Sequence, residues 1–239
     1  MPNSRYIIME PTAHTQHAVI FDMDGVILDT ERLSRGSWEA VGRRLGRSDW
    51  RALSDACMGA NREACGQIMQ QHWGSFITPE ALRSMLSEER ARLTAALGIV
   101  PKAGAPELLA WLQAEGWITG LASSSPEQTV RRELTDAGLI GRFHAVIGGD
   151  RLTQSKPAPD IYLLACRTLA LAPAETFAVE DSHNGVRAAY AAGMRAIMVP
   201  DLQPPTAEMR AHSEAVLPDL FAVQQYFAAR SGAAAACRR

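Results

Sequence analysis

Residues 18–25 read AVIFDMDG, an apolar tetrapeptide followed at once by two aspartates and a glycine. A short apolar run of this kind is typical of a strand that is buried on both faces of a sheet. Alternate residues of a strand point to opposite faces only while the strand stays regular. Gly25 allows the chain to turn, so we expect the carboxylates of Asp22 and Asp24 to approach one site where the strand ends.

Four further apolar runs follow, and helical patterns lie between them. The runs are residues 117–122, 145–147, 176–179 and 196–199. Such alternation of strands and helices predicts an α/β fold, in which helices flank a parallel sheet on both faces. Residues 31–98 show helical patterns alone, so we expect an all-helical insertion directly after the first strand.

The predicted organisation has four parts. We expect a flexible N-terminal arm at 1–17, an α/β core at 18–30 and 101–230, a helical insertion at 31–100 and a flexible C-terminal tail at 231–239. The arm is assigned because its sequence is polar and aperiodic, and the tail because it is rich in alanine.

The composition is that of a globular protein, with 47% apolar and 21% charged residues. The 24 basic and 26 acidic side chains give a net charge of −2, which is no electrostatic signature of nucleic-acid binding. No apolar run approaches the length of about 18 residues that a membrane span needs, and the cysteines show neither metal-site nor disulfide spacing. We therefore expect a cytoplasmic monomer without nucleic-acid or membrane partners.

Three more polar clusters lie where an apolar run ends or the next helix begins: Ser123, Lys156 and Glu180-Asp181. In open parallel sheets, ligands bind beyond the carboxyl ends of the strands, so these clusters are expected to converge with the two N-terminal aspartates. Each cluster alone has a structural explanation, as a turn, an exposed loop lysine or a helix cap. Their shared position at strand ends favours a functional site.

Carboxylates gathered in one crevice repel one another unless a cation is present. Carboxylate oxygens with room for water suit Mg²⁺, which favours phosphate ligands. A lysine and a hydroxyl that face this ion would complete a clamp around a phosphoryl group. One carboxylate can then attack phosphorus while a second carboxylic acid protonates the leaving oxygen.

The ordered motifs resemble those of the haloacid dehalogenase-like hydrolase superfamily. They are DMDGVILDT at 22–30, Ser123, Lys156-Pro157 and VEDSHNG at 179–185. Within the superfamily, the chain is similar to the branch that contains β-phosphoglucomutase and sugar-phosphate phosphatases, over roughly residues 17–225. The resemblance implies a Rossmann-like core, a mobile helical cap hinged near Thr30 and residue 101, and a Mg²⁺-dependent phosphatase that acts on small phosphorylated metabolites, above all sugar phosphates.

The resemblance also implies roles for single residues. Asp22 would be the nucleophile that forms an aspartyl phosphate, and Asp24 the general acid and base. The implied metal ligands are Asp22, the backbone carbonyl of Asp24, Asp181 and, directly or through water, Glu180. Ser123 and Lys156 would be catalytic as well, because they bind the transferring phosphoryl group. The implied substrate-binding residues are Thr30, Arg62, Ser123, Ser124 and Lys156.

Arg62 matches a family arginine that contacts the distal part of a phosphorylated sugar. The alternative for this residue, a solvated charge on a helix, stays open.

Other activities are weighed on two positions. The dehalogenase branch lacks a carboxylate two residues after its nucleophile, because a halide leaves without a proton, so Asp24 argues against dehalogenation. In the mutase branch a histidine lies four residues after the threonine that matches Thr30, and here that position is Ser34. This difference favours hydrolysis, while a β-phosphoglucomutase-type mutase remains the alternative. A non-catalytic binding protein is a third reading, against which the intact motifs argue.

Overall fold

The computed structural model describes the backbone of residues 17–57 and 62–236, and the side chains of 17–57 and 63–230. The predicted arm at 1–17 falls outside the described residues except for His17. The imidazole of His17 stacks on Trp117, with 4.8 Å between ring centroids. No helix in the described ranges is long and apolar enough to cross a membrane.

Within the described residues, six strands form one parallel sheet in the order β3-β2-β1-β4-β5-β6. They are β1 (Ala18–Phe21), β2 (Ile118–Ser123), β3 (Ala145–Gly148), β4 (Thr176–Glu180), β5 (Arg195–Met198) and β6 (Ala215–Val216). The sequence predicts the first five, and the predicted α/β fold class is confirmed. The predicted N-terminal strand β1 lies inside the sheet between β2 and β4, and all four of its residues are buried.

The helices of the core cover both faces of the sheet. They are α5 (Ala105–Ala114), α6 (Glu127–Asp136), α7 (Asp160–Thr168), α8 (His183–Ala191), α9 (Ala207–His212) and α10 (Leu220–Ala236). Val19 and Phe21 pack with α5, α6 and α10 on one face, whereas Ile20 packs with α7 and α8 on the other. Both faces of β1 are therefore covered, which explains its unbroken run of apolar residues.

The described part of the insertion is all-helical, as predicted. It forms α1 (Glu31–Arg44), α2 (Trp50–Cys57), α3 (Arg62–Trp73) and α4 (Pro79–Leu97), which we call the cap. The cap has a hydrophobic core of its own, in which Trp38, Leu53 and Trp73 are buried. Thr78 caps the start of α4 by accepting a hydrogen bond from the Ala81 amide.

The chain enters and leaves the cap through two adjacent segments. The Asp29 amide donates to the Val100 carbonyl at 2.8 Å, and the Lys102 amide donates to the Ile27 carbonyl at 2.9 Å. Leu28 also forms an isolated bridge with Pro101. These paired segments lie where a hinge is predicted, near Thr30 and residue 101.

Two helices have ends that the apolar patterns do not define. The sequence Ser125-Pro126-Glu127 predicts Ser125 as the N-cap of α6, but the N-cap residue is Pro126, which offers no side-chain hydrogen bond. Asp150 accepts from the Glu127 amide instead, at 2.9 Å, because Gly148 and Gly149 let that segment approach the helix end closely. Helix α10 continues to Ala236, inside the predicted tail at 231–239, in keeping with the helix propensity of alanine.

Candidate active site

The four predicted clusters meet at the carboxyl edge of the sheet. Phe21, the last residue of β1, pairs with Leu121 of β2 and Val179 of β4. The residues that follow these positions therefore come to the same edge. They are Asp22, Ser123, Glu180 and Asp181, and the loop before α7 adds Lys156.

Lys156 is the centre of the buried charge cluster. Its ammonium group donates to Asp22 Oδ1 at 2.5 Å, to Glu180 Oε1 at 2.6 Å and to the Ala122 carbonyl at 3.2 Å, so all three of its donors are used. Burial disfavours the ammonium ion, but the two carboxylates outweigh burial and raise the pKa of Lys156. Lys156 is therefore protonated, and it fixes the orientation of the Asp22 side chain.

The acidic residues around Lys156 carry more negative charge than the lysine balances. Burial raises the pKa of Asp22 to about 8; Glu180 and Asp24 add to the shift and Lys156 opposes it. Burial, followed by the charges of Glu180 and Asp22, raises the pKa of Asp181 well above its ordinary value. A bound cation would relieve this repulsion.

Three carboxylates are arranged so that they can hold a metal ion. Asp22, Glu180 and Asp181 each offer an oxygen atom, and these atoms lie within 4.8 Å of one another. Gly25 has φ = +77°, and a Cβ atom at this position would lie 2.4 Å from Asp181 Oδ2. Only glycine at position 25 therefore leaves room for the Asp181 carboxyl group. Oδ2 of Asp201 is buried without a partner among the described residues and lies beside Gly25. The three carboxylates of Asp22, Glu180 and Asp181 offer only oxygen ligands, which fit Mg²⁺.

Glu180 is fixed by several hydrogen bonds. Oε1 accepts from Lys156 and, at 2.6 Å, from the Tyr162 hydroxyl, while Oε2 accepts from Ser182 at 3.2 Å. Ser182 is also the N-cap of α8, and any Cβ atom at Gly185 would collide with the Glu180 carboxyl group. The structural explanation for the 180–182 cluster, a helix cap, is thus correct for Ser182 and compatible with a charged site.

Asp24 sits closer to solvent than Asp22, with 30% of its side chain exposed. Thr30 donates to Oδ1 at 2.6 Å, and Ser123 donates to Oδ2 at 3.4 Å. The Ser125 amide donates in turn to Ser123 Oγ at 3.1 Å, which orients that hydroxyl. Two of the predicted binding residues, Thr30 and Ser123, therefore hold the Asp24 carboxyl group in place.

The remaining predicted substrate residues differ in what the structure shows. Ser124 is exposed beside the buried Ser123. Arg62 is the first residue of α3, but its side chain lies outside the described part of the structure. Their roles stay predictions.

A cavity of about 270 Å³ lies among the cap helices α1, α2 and α3, and Leu202 of the core contributes to its lining. It is lined by Glu31, Ser34, Arg35, Trp38, Ser54, Cys57, Cys65 and Leu202. Burial raises the pKa of Glu31, and the charges of Asp24 and Asp201 raise it further, so this wall of the cavity faces the acidic cluster. Ser34, the position that distinguishes the chain from the mutase branch, lines this cavity.

Sequence patterns alone did not single out Tyr162, Arg90 or Glu133. Tyr162 is fully buried on the inward face of α7, where it is indistinguishable from a core aromatic residue. Arg90 reaches from the cap to Asp24 and to Glu133, a buried residue of α6. Glu133 had one detectable signal, a charge on the apolar face of a helix between Val130 and Leu134.

A family model described as haloacid dehalogenase-like hydrolase matches residues 16–193. The chain belongs to this family. The matched segment includes every predicted catalytic and metal-binding residue, and the predicted family is confirmed. The hydrolase family and the relatives named as phosphatases support the prediction of a phosphatase enzyme.

Individual relatives agree with the family. A phosphorylated carbohydrates phosphatase of Thermotoga maritima is 31% identical over 180 residues, which cover 75% of this chain and 83% of that protein. A beta-phosphoglucomutase of Bacillus subtilis is 31% identical over 193 residues, which cover 78% and 84%. The crystal structure of CbbY from Rhodobacter sphaeroides in complex with phosphate superposes with a TM-score of 0.68 at 27% identity, covering 86% of this chain and 95% of that one.

Proposed function

We propose that this protein is a Mg²⁺-dependent phosphatase that hydrolyses small phosphorylated metabolites, above all sugar phosphates, through an aspartyl phosphate on Asp22. The observation that carries the proposal is the pairing of Asp22 with Lys156 beside the Asp181 carboxylate, with Asp24 next to them. The similarity to a phosphatase of phosphorylated carbohydrates supports the substrate class.

Asp22 is the nucleophile in this proposal. Lys156 holds Oδ1 through a charge-assisted hydrogen bond and keeps one carboxylate oxygen in a fixed position. The ammonium group also supplies positive charge where the phosphoryl oxygens would gather. Ser123, at the end of β2, is the hydroxyl donor to the same group.

The metal would be held by Asp22, the backbone carbonyl of Asp24 and Asp181. Bound Mg²⁺ supplies positive charge that stabilises the phosphoryl oxygens and the surrounding carboxylates. Glu180 already accepts hydrogen bonds from Lys156, Tyr162 and Ser182, so it would act on the metal through a water molecule.

Asp24 is the general acid and base. Thr30 and Ser123 orient its carboxyl group from two sides. In the first step Asp24 gives a proton to the leaving sugar oxygen, and in the second it accepts one from the water that attacks the phosphoaspartate. Without the first proton transfer, an alkoxide would have to leave unprotonated.

The mutase alternative would return the phosphoryl group to a sugar hydroxyl and exclude water. The similarity to a beta-phosphoglucomutase supports this alternative. Ser34 lines the cavity at the position of the mutase-branch histidine, and a serine hydroxyl cannot carry the same proton near neutral pH. Hydrolysis is therefore the better-supported reaction, and a non-catalytic role is opposed by the complete charge cluster.

Phosphate release from a panel of hexose, pentose and hexitol phosphates, with Mg²⁺ and with chelator, tests the proposal. We expect metal-dependent release by the wild type and none by Asp22→Asn. Asp29→Asn is the matched control, because Asp29 is in the same segment and its half-exposed side chain lies 3.8 Å from Arg32, away from the buried charge cluster. Release that persists in Asp22→Asn would contradict the aspartyl-phosphate step. Bisphosphate-primed conversion of a hexose 1-phosphate to its 6-phosphate, without release, would establish the mutase instead.

A further inference from the structure

The side chain of Arg90 crosses from the cap to the core. Arg90 lies on α4, and its Nη2 atom is 3.5 Å from Asp24 Oδ1. The same atom is 3.4 Å from Oε1 and 3.5 Å from Oε2 of Glu133 on the core helix α6. One guanidinium group therefore joins a cap helix, a core helix and the carboxyl group assigned as the general acid.

Glu133 occupies a position that favours an apolar residue. It is only 2% exposed and lies on the inward face of α6 with Val130 and Leu134. A carboxylate at such a site needs a countercharge, since an unpaired buried charge is strongly unfavourable. Burial raises the pKa of Glu133, whereas Arg90 opposes the shift. Glu133 is thus an anchor in the core for a cation that the cap supplies.

Asp24 receives contacts from three parts of the chain. Thr30, at the entry to the cap, donates to Oδ1, and Ser123, on β2, donates to Oδ2. Arg90 approaches Oδ1 from α4, so it is the one of these three groups that would move with the body of the cap. The arrangement around Asp24 is complete only while α4 lies against the core.

We propose that Arg90 is a positioning residue that couples closure of the cap to the orientation of Asp24, with Glu133 as its anchor in the core. When the cap is closed, Glu133 holds the guanidinium group and the guanidinium group holds the Asp24 carboxyl group. When α4 moves away, Asp24 keeps only its contacts with Thr30 and Ser123. This inference rests on the proposed function, because it concerns the residue that protonates the leaving group.

Two substrates with different leaving groups distinguish a positioning role of Arg90 from a merely structural one. A sugar phosphate needs a proton on its departing oxygen, whereas p-nitrophenyl phosphate releases a stable phenolate without one. Arg90→Gln should lower kcat/KM, which covers the steps up to departure of the leaving group, by about 30-fold for the sugar phosphate and by only about 3-fold for p-nitrophenyl phosphate, because part of the roughly 10²–10⁴-fold contribution of general acid catalysis is lost. The second step, in which Asp24 acts as the base, is common to both substrates and does not enter kcat/KM. Arg90→Lys should recover part of the loss, and Glu133→Gln should show the same selective loss to a smaller degree.

The matched control is Arg92→Gln. Arg92 lies two residues further along α4, is 64% exposed and pairs with Glu89 on its own helix, so its loss should leave both substrates unaffected. Thermal melting of each variant identifies any that fails to fold. If a folded Arg90→Gln variant lost kcat/KM equally on both substrates, the positioning role would be overturned.

Small-angle X-ray scattering gives a readout that does not depend on turnover. We expect a larger radius of gyration for Arg90→Gln and Glu133→Gln than for the wild type and Arg92→Gln, because the cap loses its anchor. Unchanged scattering in both variants would overturn the coupling of Arg90 to closure. An inactive wild type would remove the proposed function and this inference together, whereas an active wild type with non-selective variants would remove the inference alone.

Discussion

The ammonium group of Lys156 lies 2.5 Å from Oδ1 of Asp22, although 134 positions separate the two residues in the chain. Lys156 and Asp22 are both buried. The parallel sheet brings them together, because Asp22 directly follows β1 and Lys156 enters beside it from the loop that precedes α7. The charge cluster therefore forms only when the sheet is folded.

Lys156→Met should abolish turnover and destabilise the fold. The variant leaves the buried carboxylates of Asp22 and Glu180 without their cation, and removal of one partner from a buried pair costs about 3–5 kcal/mol. Denaturant unfolding in the presence of chelator measures the change. Lys102→Met is the control: Lys102 pairs with Asp201 at a more exposed site and should lose far less stability. A smaller effect for Lys156→Met than for Lys102→Met would contradict this account.

Removal of Mg²⁺ should destabilise the protein, and Asp181→Asn should change that dependence. Metal at 100 times its Kd stabilises the native state by about 2.7 kcal/mol, a gain that the variant should largely lose. Burial and neighbouring charges raise the pKa of Asp181, so the folded state binds its proton more tightly than the unfolded state does. Metal-free wild type should therefore lose stability as pH rises from about 4 toward neutrality.

Thermal unfolding across this pH range, with and without Mg²⁺, tests both statements. Metal-free Asp181→Asn should exceed the metal-free wild type in stability at neutral pH, because the variant removes a repelled charge. A variant that keeps the full Mg²⁺ response would exclude Asp181 as a ligand.

Much of the fold could be predicted from local patterns. The apolar runs predict β1 to β5, because a strand that is buried on both faces is apolar at successive positions. Helix α2 was not predicted, since Leu53 is its one buried residue and so short a helix gives little periodic signal. Strand β6 has two residues, too few for any pattern.

The residues of the site also divide into those that the sequence predicts and those that it does not. Asp22, Asp24, Lys156 and Asp181 could be found because each follows a strand or precedes a helix, which is a local feature. Arg90 could not, since its partner Glu133 is 43 positions away and α4 carries two other arginines, Arg83 and Arg92, that look the same in the sequence. Contacts between separate helices are fixed by tertiary packing, which the spacing of residues does not report.

Gly25→Ala should disrupt the metal site more than a left-handed glycine alone explains. A non-glycine residue in the left-handed region costs roughly 1–2 kcal/mol, and here the new methyl group would also meet Asp181 Oδ2 at 2.4 Å. Gly116→Ala is the matched control, because Gly116 has a similar φ of +71° and no atom within 4 Å of the added Cβ. Calorimetric titration with Mg²⁺ should show weakened binding in Gly25→Ala alone; equal binding in both variants would contradict the steric argument.

Cys65 should be the most readily alkylated described cysteine and should report occupancy of the cavity. A hydrogen bond from Cys57 lowers the pKa of Cys65 to about 7, so the rate of its reaction with iodoacetamide should rise as pH increases through 7. Burial raises the pKa of Cys166 to about 11, which makes that thiol an internal control. Peptide mass mapping in a Cys237→Ser background follows both sites.

The same thiol tests where the substrate sits. Cys65 and Cys57 line the cavity that contains Glu31 and Ser34, so a sugar phosphate bound there should shield Cys65 from alkylation. Asp22→Asn prevents turnover, and in that variant a saturating sugar phosphate with Mg²⁺ should slow labelling of Cys65 by about tenfold while Cys166 is unchanged. Cys57→Ala should shift the labelling profile to higher pH, because the hydrogen bond that favours the thiolate is lost. If a bound substrate left the rate of Cys65 labelling unchanged, the leaving group would lie outside this cavity.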